Sequence, residues 1–157
     1  MKGKTNAMRM LESAKIPYEL LEYTVDENDL SGTHVADMLG LSYPSVFKTL
    51  VAKGDRTGHV VLCIPVDREL DLKKVAKVTG NKRIEMVAVK DLLPLTGYIR
   101  GGCSPIGMKK KFPTYFDATA KEHARLTLSA GVRGAQLSLD SEKLLSFVGA
   151  VCEDLVF

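Results

Sequence analysis

Val46-Phe47-Lys48-Thr49-Leu50-Val51-Ala52 and His59-Val60-Val61-Leu62-Cys63-Ile64-Pro65 are two apolar, β-branched runs, and the polar turn Lys53-Gly54-Asp55-Arg56-Thr57-Gly58 lies between them. Runs of this composition read as strands, and a turn of this kind joins them as a hairpin. Alternation within the first run puts Val46, Lys48 and Leu50 on one face and Phe47, Thr49 and Val51 on the other. This hairpin is the centre from which the rest of the chain is read.

Upstream, Thr5 or Asn6 caps a helix that runs through Ala14 with an apolar stripe of Met8 and Leu11. Pro17 opens an extended segment, Tyr18-Glu19-Leu20-Leu21-Glu22-Tyr23, and the polar residues from Asp26 to Gly32 form a loop. Thr33 reads as the cap of a short helix from His34 to Leu39, closed by Gly40. Downstream, Leu72 to Val78 is helical and stops at Thr79-Gly80, and Asp91 to Leu95 is a further short helix. Strand-like runs follow at Thr114–Phe116, Leu126–Ser129 and Ala135–Leu139, then a helix from Ser141 to Phe147 and a terminal strand from Ala150 to Val156. Strands dominate the middle and helices punctuate them. The pattern predicts an α/β (α+β) fold with a mixed, largely antiparallel, barrel-like sheet flanked by helices, spanning 1–157 as one domain.

A chain of 157 residues suits one domain by the usual prior of ~100–200 residues. Its composition, 45% hydrophobic and 26% charged, is that of an ordinary soluble protein. A net charge of +3 is too small to announce a nucleic-acid binder, so local clustering has to carry any such reading. No apolar run approaches the ~18 residues of a membrane span. The basic segment Met1-Lys2-Gly3-Lys4 leads into an amphipathic stretch without the apolar core of a signal peptide. A cytoplasmic protein is expected, with no membrane association. Cys63, Cys103 and Cys152 form no paired motif, and His34, His59 and His123 have no ligand-like spacing, so neither a metal nor a cofactor is expected.

Two features depart from a merely structural pattern. Lys48 interrupts an apolar strand, where lysine is a poor β-former and costly to bury. It is either a snorkelling surface residue or a cation at the floor of a pocket. Gly101-Gly102-Cys103-Ser104-Pro105-Ile106-Gly107 cannot be helix or strand interior and is followed at once by Met108-Lys109-Lys110-Lys111. Such a loop is either a structural turn beside solvated lysines or a backbone cradle for a phosphate, carboxylate or carbonyl oxygen. The chain offers no Ser-His-Asp arrangement and no GxSxG elbow.

Three segments resemble the YbaK/EbsC and prolyl-tRNA synthetase editing-domain superfamily: Ser45-Val46-Phe47-Lys48-Thr49-Leu50, Gly97 through Gly107, and Ser129-Ala130-Gly131-Val132-Arg133-Gly134. The likeness runs from Asn6-Ala7 and Ile16-Pro17-Tyr18 to the final strand, and the order and spacing suit the free-standing YbaK branch. That resemblance implies an aminoacyl-tRNA deacylase that clears cysteine from Cys-tRNA(Pro). It implies that Lys48 engages the 3′-terminal adenosine or its phosphate, and that the N–H groups of Gly101 and Gly102 hold the ester carbonyl oxygen. It places Tyr23, Phe47, Thr49, Ser104, Pro105 and Ser129 around the substrate. The residue after Gly-Gly is often aliphatic in such proteins, and here it is Cys103.

With few side-chain nucleophiles available, the resemblance further implies that the substrate's own thiol attacks its carbonyl and that the tRNA leaves through its ribose hydroxyl. Lys109, Lys110, Lys111 and Arg133 are candidates for acceptor-stem phosphates, as are Lys82, Arg83 and Arg100. The implied partners are the acceptor end of the mischarged tRNA and prolyl-tRNA synthetase. An editing enzyme of other specificity and a non-catalytic RNA-binding module are the alternatives.

Overall fold

The computed structural model describes residues 3–157, so Met1 and Lys2 of the basic N-terminal segment lie outside the described residues. In chain order the elements are α1 (Asn6–Ser13), β1 (Tyr18–Glu22), α2 (Gly32–Leu39), β2 (Phe47–Gly54), β3 (Gly58–Pro65), α3 (Leu72–Thr79) and β4 (Ile84–Met86). They continue with α4 (Val89–Thr96), β5 (Thr114–Asp117), β6 (Arg125–Ser129), β7 (Ala135–Asp140), α5 (Ser141–Val148) and β8 (Val151–Glu153).

The hairpin of β2 and β3 forms antiparallel from Phe47↔Pro65 to Gly54↔Gly58. Pairing reaches further than the sequence suggests and leaves a loop of Asp55, Arg56 and Thr57. Asn81 supports that loop, because its Oδ1 accepts from the N–H groups of Arg56 (2.9 Å) and Thr57 (3.0 Å). Its Nδ2 donates to Thr57 Oγ1 (2.9 Å) and Thr79 Oγ1 (2.8 Å), so the buried amide is well satisfied.

Two sheets result. One has the order β1-β7-β6 and is wholly antiparallel; the other has the order β4-β2-β3-β5-β8, with β3–β5 and β5–β8 parallel. A parallel bridge between Val46 and Thr127 ties the start of β2 to β6, so the sheets meet at one corner. The strand alternation holds. Phe47, Val51, Val61 and Cys63 enter the main core with Leu126, Leu128, Leu137, Leu139 and the α1 residues Ala7, Met8 and Leu11. Leu50, Ala52, Val60, Leu62 and Ile64 pack on the other face with Val75 of α3 and with Leu155 and Val156. The hairpin is therefore covered on both sides, and Phe47 stacks on Phe116 of β5 at a centroid distance of 5.9 Å.

Three local expectations are corrected, and one element is added to them. Ser31, not Thr33, caps α2: its side chain accepts from the His34 N–H at 3.3 Å and donates to Asp29 Oδ1 at 2.6 Å. Strand β4 is an element without a signal in its three residues. Helix α4 extends past the expected Asp91–Leu95 at both ends and carries Pro94 within it. The terminal strand is confined to β8, after which an isolated bridge pairs Val156 with Leu70. No helix among the described residues is long and apolar enough to cross a membrane.

Candidate functional site

A cleft of about 710 Å³ opens where β2, the first turn of α2, the loop after α4 and the ends of β6 and β7 converge. Phe47, Lys48 and Thr49 line it from β2, Gly101 and Cys103 from the glycine loop, and Ser129 and Gln136 from a register pair of β6 and β7. Thus Lys48, Gly101, Phe47, Thr49 and Ser129, far apart in sequence, share one cavity.

Lys48 is half-buried on β2, opposite Ile64. Its ammonium has no carboxylate or hydrogen-bond partner among the described residues. Arg100, an exposed residue, also lines the cleft, and its guanidinium is likewise unpaired among them. The carboxylates of Asp67 and Glu69 lie on the wall, both on exposed residues. Of these four charged residues Lys48 alone is half-buried, so it is the cation whose lost solvation an anionic ligand would replace.

The glycine loop is held at its base. Lys109 N–H donates to Thr96 O at 3.0 Å, Tyr98 Oη donates to Ile106 O, and Asn6 Nδ2 donates to Gly107 O at 3.3 Å. At its tip, Gly102 N–H donates to Ile99 O at 2.9 Å and closes a turn in which Gly101 has φ +86°. A positive φ at the third position is the type II signature and favours glycine there.

The expectation that both glycine N–H groups hold a substrate oxygen is corrected for Gly102. Its N–H is used inside the turn. Gly102 is needed for another reason: a Cβ would come within 3.1 Å of the Val132 backbone. The N–H groups of Gly101 and Cys103 have no partner among the described residues and remain available.

Cys103 is buried, and burial pushes its thiol up to about 12. It is a neutral group at physiological pH and a poor nucleophile. Cys63 lies behind it, also pushed upward by burial, with Thr49 Oγ1 at 3.6 Å from its sulfur. Ser129 Oγ accepts from Gly131 N–H at 3.0 Å and has no histidine among its partners.

Other expected residues fall elsewhere. Tyr23 is half-buried beyond the end of β1, its N–H bonded to Gly134 O at 3.0 Å, and is not among the cleft walls. Ser104 is wholly buried and accepts from Ile106 N–H at 3.3 Å. Pro105, Lys110 and Lys111 line a smaller groove of about 290 Å³ on the other side of the loop, together with Met108 and Phe112. Lys109 is exposed and would lie 3.3 Å from a Cβ at Gly97. Arg133, expected to be free for phosphate, is engaged internally: its Nε donates to Arg100 O at 2.8 Å and its Nη1 pairs with Glu27 at 3.1 Å. Lys82 and Arg83 sit beside the hairpin loop, where their N–H groups donate to Asp55 Oδ1.

Sequence reasoning gives no sign of Gln136. It is 6% exposed, lines the cleft, and its carboxamide makes no hydrogen bond among the described residues. Because no fully enclosed side-chain nitrogen or oxygen lacks a partner, that amide reaches the open space of the cleft. Among the described residues no group of three or more His, Cys, Asp or Glu side chains is placed to hold a metal ion.

The aminoacyl-tRNA editing domain model matches residues 31–147. A protein of Enterococcus faecalis named as a Cys-tRNA(Pro)/Cys-tRNA(Cys) deacylase, EbsC, is 54% identical over 143 residues, 91% of this chain and 87% of that protein. A proline–tRNA ligase of Thermosipho africanus is 31% identical over 90 residues, 57% of this chain and 16% of the ligase. A crystal structure described as that of a trans-editing enzyme for prolyl tRNA synthetase matches with a TM-score of 0.82 at 21% identity, over 99% of both chains.

Proposed function

The chain belongs to the aminoacyl-tRNA editing domain family, and from that premise we propose that it removes cysteine from Cys-tRNA(Pro), acting in trans. The whole chain serves as one editing module in the cytoplasm. The observation that carries the reading is the unpaired, half-buried Lys48 in the same cleft as Gly101, with no activated side-chain nucleophile among the walls. Lys48, with Arg100, meets the phosphate of the tRNA 3′-terminal adenosine. The aminoacyl ester then lies against the glycine loop, where the N–H groups of Gly101 and Cys103 receive the carbonyl oxygen. Gln136 and Ser129 flank the amino acid.

The substrate supplies the attacking atom. Its thiol sulfur forms a bond to the ester carbonyl carbon, and negative charge develops on the oxygen held by the loop. The carbon–oxygen bond to the ribose then breaks, and the thiol proton passes to the departing ribose oxygen. The products are deacylated tRNA and a cysteine thiolactone, which water opens afterwards. The protein contributes position and electrostatic stabilisation, which together can account for many orders of magnitude in rate.

Several features support this reading: the elevated thiol of Cys103, the engaged hydroxyl of Ser129 and the lack of histidine among the cleft walls. Prolyl-tRNA synthetase with its tRNA bound is the proposed partner, since proline–tRNA ligases carry the matching segment. The exposed Lys109, Lys110 and Lys111 are proposed to contact acceptor-stem phosphates. The deciding experiment compares single-turnover release from Cys-tRNA(Pro), Ala-tRNA(Pro) and Ser-tRNA. Cysteine should leave at least ~10²-fold faster than alanine, the scale of a contribution made only in the transition state. Equal rates would point to an editing enzyme of other specificity, and no release from any of the three to a binding module.

A further inference from the structure

The peptide unit between Arg100 and Gly101 is the central peptide of the type II turn that Gly102 N–H closes onto Ile99 O. Its carbonyl belongs to Arg100 and its N–H to Gly101, the donor assigned to the ester oxygen. In a trans peptide these two groups point in opposite directions. Rotating such a central peptide by about 180° converts a type II turn into type I and reverses both groups at once. The direction of the Gly101 N–H therefore depends on what holds the Arg100 carbonyl.

That hold comes from Arg133. Its Nε donates to Arg100 O at 2.8 Å, and its Nη1 reaches Glu27 Oε2 at 3.1 Å. The guanidinium lies against Gly101, since a Cβ there would approach Arg133 Nε to 3.3 Å and Leu30 Cβ to 3.7 Å. Arg133 is 27% exposed through its side chain, whereas Glu27 is 72% exposed. One side chain thus links three segments: the turn between β6 and β7, the loop before α2, and the glycine loop. Arg100 and Gly101 line the cleft, and Arg133 and Glu27 stand outside its walls.

We propose that Arg133 is a positioning residue that locks the Arg100–Gly101 peptide in the orientation presenting the Gly101 N–H to the substrate. The inference rests on the deacylase reading for its catalytic consequence. A charge-assisted bond to the carbonyl fixes the peptide and also polarises it, which strengthens the N–H on the opposite side as a donor. Glu27 fixes the guanidinium in turn. Because the donor acts on charge that develops in the transition state, loss of the lock lowers kcat and leaves KM largely unchanged.

The test is steady-state deacylation of Cys-tRNA(Pro) by the full chain carrying Arg133→Ala, with added guanidinium ion as a rescue. The expected result is a kcat about 10²-fold lower with KM within about twofold, the scale of losing one oxyanion donor. Guanidinium should restore part of the rate, Arg133→Lys should fall between wild type and Arg133→Ala, and Glu27→Gln should lose severalfold in kcat. A raised KM with unchanged kcat, and a salt dependence shallower by about one phosphate contact, would identify Arg133 as a tRNA-phosphate ligand and overturn the proposal.

The Gly101 amide resonance in a ¹⁵N–¹H spectrum gives a readout independent of turnover and of global unfolding. It should move strongly in Arg133→Ala and in the milder Glu27→Gln, with most other resonances in place. An unmoved Gly101 resonance would contradict the lock even if activity falls. If wild-type protein fails to deacylate Cys-tRNA(Pro), the deacylase reading fails, and the resonance still decides the positioning role.

Discussion

Holding an ammonium half-buried within an otherwise apolar strand costs solvation, and at Lys48 no carboxylate among the described residues offsets that cost. A substrate phosphate would offset it, which is why Lys48 is read as a ligand for the tRNA end. Lys48→Ala should lower kcat/KM for Cys-tRNA(Pro) by at least ~10²-fold while circular dichroism and the melting temperature stay near wild type, because the substitution relieves a solvation cost in the free protein. Near-wild-type activity would remove Lys48 from the site. Cys103 predicts the opposite result. Its thiol, pushed up to about 12 by burial, is neutral at pH 7, so Cys103→Ala should retain most activity. Complete loss in that variant, with the fold intact, would revive a thiol-nucleophile mechanism.

At the level of elements, the hairpin that carries Lys48 depends on Asn81, which satisfies two N–H groups of its three-residue loop and packs against Gly54. Asn81→Ala leaves those donors without their acceptor and should cost about 1–3 kcal/mol in chemical denaturation. A change below experimental error would mean that water replaces the amide without loss.

Legibility in the sequence follows the same local logic. The β2–β3 hairpin, α1, α3 and α5 were readable because their periodicity and turn residues act over a few positions. Strand β4 was not, since Ile84-Glu85-Met86 is too short to show a period, and it exists because it adds an edge to β2. For the cap of α2 the sequence points to Thr33, two residues late, because serine and threonine both form caps. Only the three-dimensional loop shows that Asp29 fixes Ser31.

The same division applies to the molecule as a whole and to its site. Lys48 and Gly101 stood out because each breaks the pattern around it. Gln136 did not, since a polar residue alternating with leucines in β7 looks like a solvent-facing position, and here that face opens on the cleft. In the sequence Arg133 stands as a phosphate candidate, because its partners Arg100 and Glu27 are 33 and 106 positions away. The parallel pairings of β5 with β3 and β8 were likewise beyond local reading. Together these long-range pairings build a cleft with Lys48, Gly101, Ser129 and Gln136 among its walls and no histidine beside them. The central claim is therefore that the attacking sulfur belongs to the substrate. It is tested most directly by measuring single-turnover deacylation of Cys-tRNA(Pro) beside the same tRNA carrying 2-aminobutyrate, in which a methyl of similar size replaces the thiol. Rapid release of cysteine and at least ~10²-fold slower release of 2-aminobutyrate are expected; equal rates for the two would contradict the proposal.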